Sequence, residues 1–214
     1  MNKKMFSNTY YIWNETLNAV THGLGTGLSI TGLILLLIKA SQLASIKHLF
    51  AYLIYGVSLI ILFLSSTLFH SLIFTKAKKV FQVFDHSSIY LLIAGSYTPF
   101  CLLALPKKAG FLMLLLVWGI ALLGILYKSI FFNKKTKADV LLYIIMGWLC
   151  LFTLKPLWIG LGSTGFWLLV AGGVTYTLGA IFYSLKQVPF MHVVWHLFVL
   201  GGATFMFFSI LFYT

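Results

Sequence analysis

Apolar residues run in seven long blocks along the chain, near 17–38, 49–70, 82–105, 110–127, 139–158, 164–185 and 191–213. Each block is close to the roughly 20 residues that a helix needs to cross the hydrocarbon of a bilayer. Between them lie short polar breaks, such as Thr-Lys-Ala-Lys-Lys, Pro-Lys-Lys, Asn-Lys-Lys-Thr-Lys and Lys-Gln-Val-Pro. Connections this short join antiparallel neighbours. The pattern predicts an all-α integral membrane protein, a seven-transmembrane-helix bundle forming one domain over 1–214, with no linker and no internal repeat.

Composition removes the soluble alternative. Of 214 residues, 61% are hydrophobic and 8% charged, whereas a soluble domain solvates its surface with about 25% charged residues. Only Glu15, Asp85 and Asp139 are acidic, and the net charge of +12 comes from fifteen lysines without one arginine. The lysines sit in small groups between apolar runs, as topology determinants do, so nucleic acid is excluded as a partner and membrane lipids are expected instead. With seven spans, ten lysines (Lys3, Lys4, Lys76, Lys78, Lys79, Lys128, Lys134, Lys135, Lys137 and Lys186) share a side with the N-terminus, against five on the other. The positive-inside rule then places the N-terminus in the cytoplasm and the C-terminus outside, in a multi-pass protein of the plasma (inner) membrane. Lys3 and Lys4 before an apolar run also suggest a signal peptide. The sixteen mostly polar or interfacial residues before that run argue against cleavage. Cys101 and Cys150 fall inside apolar blocks and read as packing residues, not as a disulfide or a metal motif.

Antiparallel packing brings the polar residues to one membrane level. His70 closes the second block, Asp85 and His86 open the third, and His192 and His196 open the seventh, with Glu15, Asn18 and His22 at the start of the first. Only His48 among six histidines falls at the other end. Ionisable groups at membrane depth are costly, so they face the bundle interior and mark function. Ser66 and His70 are four residues apart and share a helix face, as do His192 and His196. Two imidazoles at that spacing can bind one metal ion, and a third histidine plus water would complete an open tetrahedral zinc site. His192-Val-Val-Trp-His196 has no glutamate between its histidines, which leaves Asp85 as the acid to orient water or a ligand. His86 points away from its neighbour Asp85 and is the weaker ligand candidate; His22 is the reserve. Asp139, beside Lys137, reads as an interfacial charge. Gly23-x-x-x-Gly27 suggests close helix packing, and Pro99 suggests a kink in the third span.

Four stretches carry a family resemblance: Glu15-Thr-Leu-Asn-Ala-Val-Thr-His22-Gly, Ser66-Thr-Leu-Phe-His70, Asp85-His-Ser-Ser-Ile-Tyr-Leu-Leu-Ile-Ala-Gly-Ser-Tyr-Thr-Pro99 and His192-Val-Val-Trp-His196-Leu-Phe-Val-Leu. In this order, the chain resembles the hemolysin III family, the bacterial branch of the progestin and adipoQ receptor superfamily. The resemblance implies seven helices with a cytoplasmic N-terminus. It also implies zinc (Zn) on His70, His192 and His196, with Asp85 reaching the metal's water and Ser66 as the matching serine. The further histidine that bacterial members often carry late in the last span is missing from Thr204-Phe205-Met206-Phe207.

Three functions follow as expectations. The first is a zinc-dependent hydrolase of lipid amides or esters, because related membrane proteins have ceramidase-like activity, with Asp85 and Ser66 as catalytic residues. The second is a non-catalytic sensor or regulator of lipid state with structural zinc. The third is the cytolytic, pore-forming activity of the family's name, against which stands the absence of any soluble form.

Overall fold

The computed structural model describes residues 7–131, 138–185 and 187–214. Seven α-helices follow one another: α1 Asn8–Gln42, α2 Ile46–Ser71, α3 Lys78–Pro99, α4 Lys107–Ile130, α5 Ala138–Gly147, α6 Leu154–Ser184 and α7 Met191–Tyr213. No strand occurs among the described residues. Six helical stretches are long and apolar enough to cross a membrane, and the fifth of them, Asp139–Ser184, runs to 46 residues. The protein is a multi-pass membrane protein.

That 46-residue stretch is not one rod. Gly162 adopts φ 66°, ψ 175° inside it, a backbone conformation open in practice only to glycine. Trp148 Nε1 donates to Thr177 Oγ1 at 3.0 Å although 29 residues separate them. A continuous helix would hold these residues roughly 43 Å apart at 1.5 Å per residue. The chain therefore doubles back between them. The block expected at 139–158 divides into α5, a 3-10 turn over Trp148–Thr153, and the start of α6.

At 35 residues, α1 spans about 52 Å and starts nine residues before the expected apolar block. Ser7 caps it, accepting from Tyr10 N at 3.1 Å. Its buried positions are Asn14, Asn18, His22, Gly25, Ser29, Gly32, Leu36 and Ala40, a seam of spacing three and four. Leu24, Leu28, Ile34 and Ile38 are exposed on the outer face. In lipid the inward face is the polar and small one, because apolar side chains gain nothing by leaving the acyl chains. The seam corrects the glycine expectation. A Cβ on Gly27 would meet nothing within 4 Å, and one on Gly23 only an ordinary contact with Thr67, whereas one on Gly25 would lie 2.5 Å from the Phe63 ring. The close approach uses Gly25, because Gly25 and not Gly27 shares a face with Asn18 and His22.

The irregularity at Pro99 takes the form of a π turn, Phe100–Ala104, in which Leu105 N donates to Phe100 O at 3.0 Å. The carbonyls of Cys101 and Ala104 press against glycines of neighbouring helices. A Cβ on Gly110 would stand 2.0 Å from Cys101 O, and one on Gly160 2.1 Å from Ala104 O. Cys101 and Cys150 are both free thiols, as expected.

Of the ten lysines in the orientation argument, Lys3, Lys4, Lys134, Lys135, Lys137 and Lys186 lie outside the described residues. Lys128 is not a surface charge at all. It is 4% exposed and donates to Asp139 Oδ2. Asp139, expected to be an interfacial charge, is itself buried, and Lys128 at the end of α4 is its partner. Removing both charges from water requires such pairing.

Candidate metal centre

Between the helices lies a cavity of about 1350 Å³, beyond the roughly 300–1,000 Å³ of small-molecule sites. One end is polar, lined by Glu15, His70, Asp85, His86, His192 and His196. Towards the other end the walls are Leu105, Met113, Leu157, Phe166 and Met206. Glu15, Asp85 and Asp139 all line it, so the whole acidic complement of the chain surrounds this one space.

Within the polar end, His70, His192 and His196 each offer a ring nitrogen, and these atoms lie within 4.8 Å of one another. The i, i+4 spacing on α7 places His192 one turn from His196, their rings tilted with centroids 4.7 Å apart, and the last turn of α2 brings His70 to 5.2 and 5.0 Å from them. Tyr183 of α6 flanks His192 at 5.6 Å between ring centroids.

Hydrogen bonds select the donor atoms. His70 Nδ1 lies 2.6 Å from Glu15 Oε2. A carboxylate accepts, so Nδ1 carries a proton, and in the neutral ring Nε2 is then the lone-pair atom. That Nε2 is buried and has no hydrogen-bond partner among the described residues. His196 Nδ1 donates to the Asn18 carbonyl at 3.2 Å, which again leaves Nε2 as the lone-pair atom. Imidazoles that bind metal characteristically donate their other N–H to a carboxylate or carbonyl in this way. Neutral nitrogen donors suit a divalent transition ion, and a donor enclosed without a partner fits one too. The group can hold a metal ion.

The other expected residues take different places. His22 is not in the ligand group. Its ring stacks on His196 at 3.5 Å and 9°, and parallel rings aim their in-plane lone pairs side by side rather than at one point. Both His22 nitrogens are buried without a hydrogen-bond partner among the described residues. His86 also stays out, its Nδ1 2.7 Å from Gln82 O. Asp85 is 3.7 Å from His86 Nδ1 and lines the cavity. Ser66 is buried one turn before His70 and lines the cavity as well. The carboxylate that holds a histidine of this group is Glu15, not Asp85. The sequence placed Glu15 at the right depth but assigned it no role, since pairing it with His70 needs the axial register of α1 against α2.

Comparison with known proteins shows the family. The family model described as Haemolysin-III related matches residues 10–207. Hemolysin-3 of Bacillus cereus is 48% identical over 213 residues, covering 100% of this chain and 97% of that protein. The Hemolysin-3 homolog of Bacillus subtilis (strain 168) is 46% identical over 204 residues, 95% and 96% of the two chains. A human protein, Monocyte to macrophage differentiation factor, is 30% identical over 164 residues, 73% of this chain and 67% of its own. Glu15, His70, Asp85, His192 and His196 all fall inside the matched region, and the chain belongs to the haemolysin-III related family.

Proposed function

We propose that this membrane protein binds zinc on His70, His192 and His196 and hydrolyses the amide or ester bond of a membrane lipid. The observation that carries the reading is the enclosed Nε2 of His70, without a hydrogen-bond partner among the described residues, facing two further imidazoles in a cavity that is polar at one end and apolar along its depth. Bound there, zinc would polarise a carbonyl and bring the pKa of a water towards about 7. Three protein ligands leave a coordination position open, as catalytic sites do. Asp85 is the acid least engaged and so suited to proton transfer, because its nearest partner, His86 Nδ1, stands 3.7 Å away, while His70 holds Glu15 at 2.6 Å and Lys128 pairs with Asp139. Its role is to take the proton of the attacking water and return it to the leaving group. Ser66, one turn below His70, would donate to the substrate's polar head. The apolar depth of the cavity accommodates an acyl chain.

The same proposal includes seven crossings with the N-terminus in the cytoplasm and the C-terminus outside. The reversal between Trp148 and Thr177 and the break at Gly162 support separate fifth and sixth crossings, and the lysine distribution supports the orientation. Reporter fusions placed after each helix test it.

The catalytic test is purified protein assayed on ceramide-like and ester lipids, with and without chelator, beside Asp85→Asn. Metal-dependent turnover lost in Asp85→Asn is expected; equal product in all arms would end the hydrolase reading. One observation favours a structural metal instead. The helix α2 packs chiefly on α1 and α7 chiefly on α6, and the two barely meet each other, so an ion would tie together two helices that otherwise touch little. Metal that raises thermal stability without any turnover would select that reading and a role in sensing lipid state.

A further inference from the structure

The first turns of α1 extend beyond its apolar stretch, and their polar side chains form a continuous chain of contacts. Phe190, the residue before α7, has φ 61° and donates its N–H to Tyr10 Oη at 3.2 Å. Its ring meets the Tyr10 ring edge-on at 5.0 Å. Tyr10 Oη donates to Asn14 Oδ1 at 3.4 Å, and Asn14 Nδ2 donates to Glu15 Oε1 at 3.3 Å. Glu15 Oε2 then accepts from His70 Nδ1 at 2.6 Å. Four hydrogen bonds thus connect a residue two positions before His192 to the imidazole of His70. One turn further along the same helix, the Asn18 carbonyl accepts from His196 Nδ1.

We infer that Tyr10, Asn14 and Glu15 are positioning residues, a bracket on α1 that fixes the spacing between the His70 and α7 sides of the site and so sets its metal affinity. The inference rests on the proposed metal centre and adds to it. The helix α1 packs on both α2 and α7, although the main neighbour of α7 is α6, so a helix that contributes no ligand spans the gap between the two ligand-bearing helices. Glu15 also holds the tautomer of His70, and a charged acceptor on Nδ1 raises the basicity of Nε2. Tyr10 acts at one remove, by seating the left-handed turn from which α7 departs.

The experiment is a Zn(II) titration of the detergent-purified full chain against a chromophoric chelator, with Co(II) absorption as a second readout. The wild type is compared with Tyr10→Phe, Glu15→Gln, Glu15→Ala and His70→Ala. Loss of a partner that orients a ligand costs about 10–100-fold in metal affinity. Glu15→Ala is expected near the upper figure. Glu15→Gln, which still accepts from Nδ1 but lacks the charge, is expected near the lower one with an altered Co(II) band, and Tyr10→Phe a few-fold below wild type. Gly165→Ala, which crowds Tyr213 far from the site, controls for destabilisation and should keep the wild-type affinity. Wild-type affinity and spectrum in both Glu15 variants would overturn the bracket while leaving the metal centre intact. A wild type that binds no stoichiometric metal would instead remove the centre, and the bracket with it.

Discussion

The buried pair Lys128–Asp139 makes the sharpest energetic test. Lys128 is 4% and Asp139 7% exposed, and Asp139 Oδ1 has no hydrogen-bond partner among the described residues. Unit charges about 4 Å apart attract by about 4 kcal/mol at an effective dielectric of ~20. Desolvation of both ions consumes much of that gain. The consequence is asymmetric. Asp139→Leu strands an ammonium and Lys128→Met strands a carboxylate, so each single substitution is expected to cost about 3–5 kcal/mol. The double substitution Lys128→Met with Asp139→Leu removes both ions and should return to within about 1–2 kcal/mol of wild type, or exceed it. Unfolding in mixed micelles titrated with dodecyl sulfate, followed by tryptophan fluorescence, measures all four corners of the cycle. Additive costs in the double variant, or single variants within about 0.5 kcal/mol of wild type, would show that the two charges are not coupled and that the reasoning fails.

Three further outcomes are expected. Gly25→Ala drives a Cβ into the Phe63 ring at 2.5 Å and should cost about 1–3 kcal/mol, whereas Gly27→Ala, with open space around it, should be neutral or slightly stabilising; the same micelle assay reads both. Gly110→Ala places its Cβ 2.0 Å from a backbone carbonyl of the π turn, which cannot rotate aside, so about 3 kcal/mol or more is lost and the yield of monodisperse protein on size exclusion should fall. Zn(II) at a hundred times its Kd should stabilise the wild type by about 2.7 kcal/mol and leave His70→Ala unmoved, as read by thermal unfolding with and without chelator.

Much of the architecture was legible because lipid imposes a length rule on every apolar block. The last block, 191–213, coincides with α7, and the breaks near Ser45 and Pro106 mark real helix ends. The start of α1 was not legible: Tyr10, Asn14 and Glu15 look like a tail until they are seen to bind Phe190 and His70. Neither was the 3-10 turn at Trp148–Thr153, which is held by tertiary bonds such as Tyr97 Oη donating to Gly147 O at 2.7 Å and accepting from Cys150 N at 2.8 Å. The three histidines could be grouped from helix ends alone, since antiparallel packing fixes depth. Rotation about each helix axis is a separate unknown, and it decided His22 against ligation and Gly25 over Gly27. Asp139 was judged by its neighbour Lys137 in sequence, while its partner in space comes from the preceding helix, 11 residues away.

The concentration of all three side-chain carboxylates around one cavity makes the molecule unusually simple to interrogate chemically. An apolar carbodiimide, which activates carboxylates and enters from the lipid phase, meets all three acidic side chains in the wall of this cavity. Any adduct at an acidic side chain reports on the interior. Asp85, lacking the close cationic partner that shields Asp139, is the residue it should reach first, so a single mass-shifted peptide would serve as an occupancy gauge for whatever fills the space.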